Sequence, residues 1–321
     1  MMIPHRLYVG TIGEGLWRSL DGGETFARTC DGMFVECHVR ALTAHPRDPR
    51  ILYLGSEQGL FRSEDGADNW SRVESPLDRL QIWSIWLQPT APEVMLVGTC
   101  PARLFRSGDN GRTWKEADVR MRPDCPRIMD TRVTALCGHP DDAGTVWAGV
   151  EIDGVYRSRD SGQTWKQVGT GLSSQDIHAM AYVPGSDRLL ASTNNDVNVS
   201  LDEGDSWQPL QLREALPLPY FRGLAQRSGQ PDALLLGQGD APPGTTGLVA
   251  QSLDGGATWR EAQMPGRANS TIWNFAVNVA DPALVYGSSV SGQVYRSVDG
   301  GESWHRLGRD FGEIRALAWT P

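Results

Sequence analysis

The sequence predicts an all-β fold: one seven-bladed β-propeller over residues 1–321, its ring closed by N- and C-terminal strands sharing a blade. Three observations carry this expectation. A segment of the form S-x-D-x-G-x-T/S-W recurs seven times at a spacing of roughly 42 to 52 residues. A similar short strand opening recurs seven times between those segments. The chain starts in the second strand of a unit, Arg6-Leu7-Tyr8-Val9-Gly10, and finishes in a first strand, Glu313 to Trp319.

The seven segments are Ser19-Asp21-Gly23-Thr25-Phe26, Ser63-Asp65-Ala67-Asn69-Trp70, Ser107-Asp109-Gly111-Thr113-Trp114, Ser158-Asp160-Gly162-Thr164-Trp165, Ser200-Asp202-Gly204-Ser206-Trp207, Ser252-Asp254-Gly256-Thr258-Trp259 and Ser297-Asp299-Gly301-Ser303-Trp304. An Asp carboxylate accepts backbone N–H bonds across a tight turn, Gly tolerates unusual dihedrals there, and the ring following it is buried. Seven copies of such a unit are a folding device. Catalysis does not need seven equivalent carboxylates.

Around each segment four short strands alternate, as in residues 38–75, which read HVRALTAHP, ILYLGSE, GLFRSED and NWSRVES. The inner strands open as Val39-Arg40-Ala41-Leu42, Ile82-Trp83-Ser84-Ile85, Val133-Thr134-Ala135-Leu136, Ile177-His178-Ala179-Met180, Phe221-Arg222-Gly223-Leu224, Trp273-Asn274-Phe275-Ala276 and Ile314-Arg315-Ala316-Leu317. A ring closed by both termini hides edge strands that would otherwise pair with other chains, and a monomer is expected.

Composition narrows the function. Thirty-nine acidic against 30 basic residues give a formal charge of -9, which repels a phosphate backbone and excludes nucleic acid as a partner. Cys30, Cys37, Cys100, Cys125 and Cys137 form an odd set without C-x-x-C spacing, pointing to a reducing compartment rather than a disulfide framework or zinc site. The segment MMIPHRLYVG holds no signal-peptide core and nowhere do 18 apolar residues run together, so a cytoplasmic protein without a membrane partner is expected.

The repeated segments resemble the Asp-box, or BNR, repeat family, which includes sialidase-like glycosidases, xyloglucanases, sortilin-type receptors and a photosystem II assembly factor. The resemblance covers nearly the whole chain and implies the propeller; its members differ in chemistry. A sialidase likeness implies an arginine ring with a Tyr–Glu pair and an Arg-Ile-Pro segment. Arg40, Arg222 and Arg315 match the ring and Tyr220 stands near it in sequence, but the Arg-Ile-Pro segment is absent. Xyloglucanases imply two propellers forming a cleft, and one is present. An assembly factor implies an arginine-bearing face, to which Arg103, Arg120, Arg122, Arg127 and Arg132 contribute beside the long loop 116–131.

If the repeated turns join third and fourth strands, the opposite face carries the mouth of the central channel. The second residue of the inner strands gives the column Arg40, Trp83, Thr134, His178, Arg222, Asn274 and Arg315, where repeat symmetry breaks as an asymmetric ligand requires. Arg40, Arg222 and Arg315 are expected to bind an acidic small molecule or carbohydrate, with Trp83, Trp273, Asn274 and Tyr220 completing the ligand contacts. His178 and His38 are the candidates for proton transfer, and Glu57 and Glu151 for a catalytic carboxylate. The expected function is ligand binding, extending to a glycosidase-like hydrolase or lyase; the alternative is a non-catalytic scaffold with a protein partner. No cofactor is expected, although oxygen ligands from several blades leave a divalent cation open.

Overall fold

The protein is described by a computed structural model covering residues 5–125 and 129–321. Alternating strands pair into seven four-stranded antiparallel sheets, six in chain order from the inner strand outward and one whose inner strand is the last of the chain, and these are the seven blades. The inner strands are Ala41–Ala44, Gln81–Leu87, Val133–Gly138, Ile177–Val183, Tyr220–Gln226, Ile272–Ala276 and Ile314–Thr320. The last of these pairs antiparallel with Arg6–Thr11, placing Leu7 opposite Trp319 and Val9 opposite Leu317. Both ends of the chain therefore complete one blade. Outer strands are two or three residues long in six blades, which leaves little edge to template pairing.

Blade-to-blade packing follows from a glycine in the second strand. A Cβ at Gly10, Gly55 or Gly149 would lie 2.5 Å from the side chain of Val39, Ile82 or Ile177 in the next blade, and at Gly98 equally close to Val133. Only a missing side chain lets the neighbouring inner strand dock this tightly. Arginines preceding the repeated serine reach across to the next blade's turn: Arg18 donates to the Gly66 carbonyl at 2.7 Å, Arg106 to Ser161 at 2.8 Å and Arg157 to Glu203 at 3.0 Å. Arg296 does the same to Gly22 at 3.0 Å, across the seam between last and first blades.

The repeated turns are held by their own side chains. At Asp109 the Ser107 hydroxyl donates to the carboxylate at 2.8 Å, and the Thr113 amide and hydroxyl donate to it at 2.9 and 2.7 Å. These bonds, the Thr113 hydroxyl first, hold the Asp109 carboxyl down at about 2. A depressed carboxyl contributes stability above its unfolded value of about 3.8 that is lost as pH falls through about 2. Asp109→Ala is expected to lower the melting temperature by about 2–4 °C at neutral pH, with the difference from wild type shrinking in an acid titration toward pH 2. A difference that stays constant down to pH 2 would contradict the electrostatic origin.

The long loop is partly packed rather than a free arm. Ala117, Val119 and Met121 lie against Leu104, Val133 and Tyr156, and Asp124–Cys125 pairs with Met129–Asp130 as a two-stranded hairpin. Arg127 lies outside the described residues.

Candidate functional site

The first strand of six blades changes register at one place, beside the residue that follows a fully buried apolar side chain. The buried residues are Val39, Ile82, Val133, Ile177, Phe221, Ile272 and Ile314, each 0 % exposed. An extra residue in one strand of a ladder is left unpaired and re-aims its side chain. This aligns Trp273, not Asn274, with Arg40, Trp83, Thr134, His178, Arg222 and Arg315. The sequence column slipped by one residue in this blade because Trp273 passes for an apolar strand opener, whereas Ile272 is the buried one. Asn274 takes the next position, where other blades have Ala41, Ser84, Ala135, Ala179, Gly223 and Ala316, and its Nδ2 donates to Ser288 Oγ at 3.2 Å.

All seven of these side chains, with Asn274 and Phe275, line one cavity of about 220 Å³ at the channel mouth opposite the repeated turns. Two tryptophans organise its cations. Trp83 carries Arg40 and Arg132 over its ring, with guanidinium carbons 4.8 and 4.3 Å from ring centroids, and Trp273 carries Arg222 and Arg315 at 4.1 and 4.6 Å. Ring faces supply negative potential to these cations at a site largely withdrawn from water. Carboxylates supply the rest: Glu151 meets Arg132 at 2.5 Å and Arg222 at 3.9 Å, and Glu313 pairs with Arg315.

Arg40 has no such partner. Among the described residues no carboxylate lies in ion-pair contact with it, and its Nη2 reaches only His38 Nδ1 at 3.4 Å. Burial, reinforced by Arg132, pulls the Arg40 guanidinium below its ordinary range, and burial with Arg222 and Arg40 does the same to Arg315. The mouth carries the guanidiniums of Arg40, Arg132, Arg222 and Arg315, with Glu151, Glu313 and Asp176 beside them and Glu57 acting on Arg40 from beyond ion-pair distance.

His178 is 5 % exposed. Its Nδ1 lies 2.7 Å from the Phe221 carbonyl, which can only accept, so Nδ1 carries the proton. The Nε2 lone pair then faces the Tyr220 hydroxyl and an Asp176 oxygen, each 3.5 Å away. Burial, with Arg222 beside it, holds His178 below the ordinary imidazole value against the pull of Asp176. Burial opposes charge on Asp176 as well, but the hydrogen bond and charge His178 offers when protonated, with Arg222 and Arg132, outweigh it and keep that carboxyl low. A histidine buried neutral must take up its proton on unfolding, so stability should fall as pH drops below about 6.5. A His178→Asn variant is expected to flatten this slope between about pH 6.5 and 5 in denaturant titrations, and an unchanged slope would place the protonation elsewhere.

Glu151, Asp176 and His178 present ligand atoms within 4.8 Å of one another, an arrangement able to hold a metal ion. Arg132 and Arg222 already compete for Glu151, so a cation would have to displace two guanidiniums.

A family model described as the DUF6242 beta propeller domain matches residues 140–311, more than half of the chain. The chain belongs to this DUF6242 propeller family. Xyloglucanase Xgh74A of Acetivibrio thermocellus is 27% identical over 301 residues, covering 84% of this chain and 31% of that protein. Sortilin of Danio rerio is 24% identical over 220 residues, covering 64% of this chain and 25% of that one. The chain thus spans about a third of the length of the curated xyloglucanases it matches. Among solved structures, an ancestral GH74 enzyme superposes with a TM-score of 0.67 at 16% identity, over 95% of this chain and 39% of that one. YCF48 bound to D1 peptide superposes with a TM-score of 0.59 at 13% identity, over 95% of this chain and 86% of that one. These likenesses show a shared propeller.

Within this DUF6242 propeller the remaining expected residues have other surroundings. His38 and Glu57 lie outside the arginine cavity: Glu57 accepts the His38 backbone N–H at 2.7 Å and so fixes the strand entry. Glu151 sits behind the lining as the counter-ion of Arg132 and Arg222, and Tyr220, 8 % exposed, backs His178. Sequence reasoning missed Asp176 and Glu313 and left Arg132 in the loop patch. A signal existed. Residues two apart on a strand share a side, and the positions two before the cavity column are His38, Gln81, Arg132, Asp176, Tyr220, Thr271 and Glu313. This upstream tier supplies the partners of the cavity tier, as Asp176 does for His178 and Glu313 for Arg315.

Proposed function

We propose that the channel mouth binds the anionic group of an acidic small molecule or acidic sugar. The observation that carries this reading is Arg40, a largely desolvated guanidinium on the cavity wall that no carboxylate among the described residues reaches at ion-pair distance, although Glu313 and Glu57 act on it from farther off. A ligand carboxylate would relieve its repulsion with Arg132 and accept parallel hydrogen bonds from a fork already stacked on Trp83. The net charge repels anions at long range, but salt screens that field over about 8 Å while direct guanidinium contacts are little affected. A binding role is favoured over a hydrolase or lyase because the one free lone pair of His178 faces Tyr220 and Asp176, and Glu151 is held by two arginines.

Thermal shift of the wild type against D-glucuronate, D-galacturonate and simple aliphatic and aromatic acids, with their amides as controls, tests the proposal. Stabilisation by acids and not by amides is the expected pattern. A second reading, capture of an acidic peptide by the same face, draws on the D1-peptide-bound YCF48 structure, whose chain this propeller nearly matches in extent. Acidic peptides stabilising the protein where no small acid does would move the assignment to that reading.

A further inference from the structure

Beside the arginine cavity lies a second and larger one, about 490 Å³, lined by Pro242, Pro243, Trp273, Val290, Phe311 and Arg315 among others. Its chemistry differs from that of its neighbour. The prolines, the Trp273 and Phe311 rings and Val290 make its wall mostly apolar, while the first cavity adds three guanidiniums, an imidazole, a hydroxyl and the Asn274 amide to its aromatic lining. Trp273 and Arg315 line both. The two are adjoining compartments that meet at a single stacked guanidinium–indole pair, 4.6 Å from charge centre to ring.

We infer that they form one bipartite site for an amphipathic carboxylate, with the carboxylate among Arg40, Arg222 and Arg315 and an aryl or branched aliphatic group on the shelf of Pro242, Pro243, Trp273, Val290 and Phe311. This rests on the anion-binding reading of the arginine cavity and names the ligand class more closely than that reading does. The shelf is rigid where it matters. Phe311 is fixed edge-on by Phe26, with centroids 5.0 Å apart, and by Trp17 at 6.0 Å, and Val290 is 2 % exposed. Glu313, the carboxylate in its lining, is tied to Arg315, which offsets its repulsion of an incoming acid. A flat ring packs on the proline faces and the edge of the Trp273 indole, whose ring Arg222 and Arg315 already cover, whereas a hydroxyl-bearing sugar ring leaves polar groups unpaired against them. The shelf thus selects an apolar acid over a sugar acid of equal charge.

The test is calorimetric titration of the wild type and a Ser291→Trp variant with acetate, D-glucuronate, phenylacetate and 3-phenylpropionate. Ser291 is exposed on the shelf wall, so an indole there fills the shelf while leaving the arginines in place. Affinity is expected to rise from acetate to 3-phenylpropionate by about fourfold for each methylene-sized group buried, with glucuronate binding no better than acetate. Ser291→Trp should erase the advantage of the aryl acids and leave acetate unchanged. Aryl acids binding no tighter than acetate and glucuronate would overturn the bipartite site while leaving the anion site standing. Aryl acids keeping their advantage in Ser291→Trp would overturn it too, and no acid binding at all would remove both.

Discussion

Replacing Arg40 and Arg315 together by alanine is expected to abolish the thermal stabilisation that a bound acid gives the wild type. An acid present at about a hundred times its dissociation constant adds about 2.7 kcal/mol of stability, roughly 5 °C in a domain of this size. Its free energy is drawn mainly from guanidiniums held stacked and short of water, because bidentate charge-assisted bonds are the strong ones and need little ordering here. The two arginines are chosen for their different partners. Arg40 lacks an ion pair among the described residues, and Arg315 belongs to both compartments. Removing Arg40 also relieves its repulsion with Arg132, so the unliganded variant should fold at least as well as one with an average buried substitution. Equal stabilisation of wild type and double variant by the same acid would place binding elsewhere on the protein.

The second large effect is structural and has the opposite sign for the ligand. Glu151→Gln removes the carboxylate shared by Arg132 and Arg222, of which Arg222 is 7 % exposed and Glu151 8 %. Breaking a buried pair leaves an uncompensated charge, so the variant should lose about 3 kcal/mol, or about 6 °C in melting temperature. In its folded fraction the two released guanidiniums raise the positive field of the mouth, and affinity for small acids should increase. Glu116→Gln, which breaks the exposed Arg103–Glu116 pair, serves as the control and should cost almost nothing. A Glu151→Gln protein that is unchanged in stability would contradict the counter-ion role, and one that binds acids more weakly would mean that Glu151 orients the ligand instead.

The blade count and the shared blade were legible because each rests on a repeat. Seven turns carry their own hydrogen-bonding side chains, and Arg6–Thr11 and Ile314–Thr320 each lack the companion the other provides. Register within one strand was not legible to the residue. Trp273 and Ile272 are both apolar, and only their burial shows which of them leaves the ladder. The arginine ring was visible as a break in symmetry, whereas the charged residues two positions upstream, Asp176, Glu313 and Arg132, carry no signal of their own in the repeat. Pairings across blades, such as Arg132 stacked on Trp83 and paired with Glu151, depend on the ring's curvature and leave no local pattern.

The mouth is proposed to recognise charge on its ligand. Calorimetric titration with 3-phenylpropionate and with 3-phenylpropionamide, in 50 and 300 mM salt, addresses it directly. The two differ only in the group that would meet Arg40, Arg222 and Arg315. The acid is expected to bind at least about tenfold more tightly than the amide, a difference of about 1.4 kcal/mol, and added salt should narrow the gap only slightly because the contacts are direct. Equal affinities for acid and amide, or an acid preference that vanishes in 300 mM salt, would contradict it.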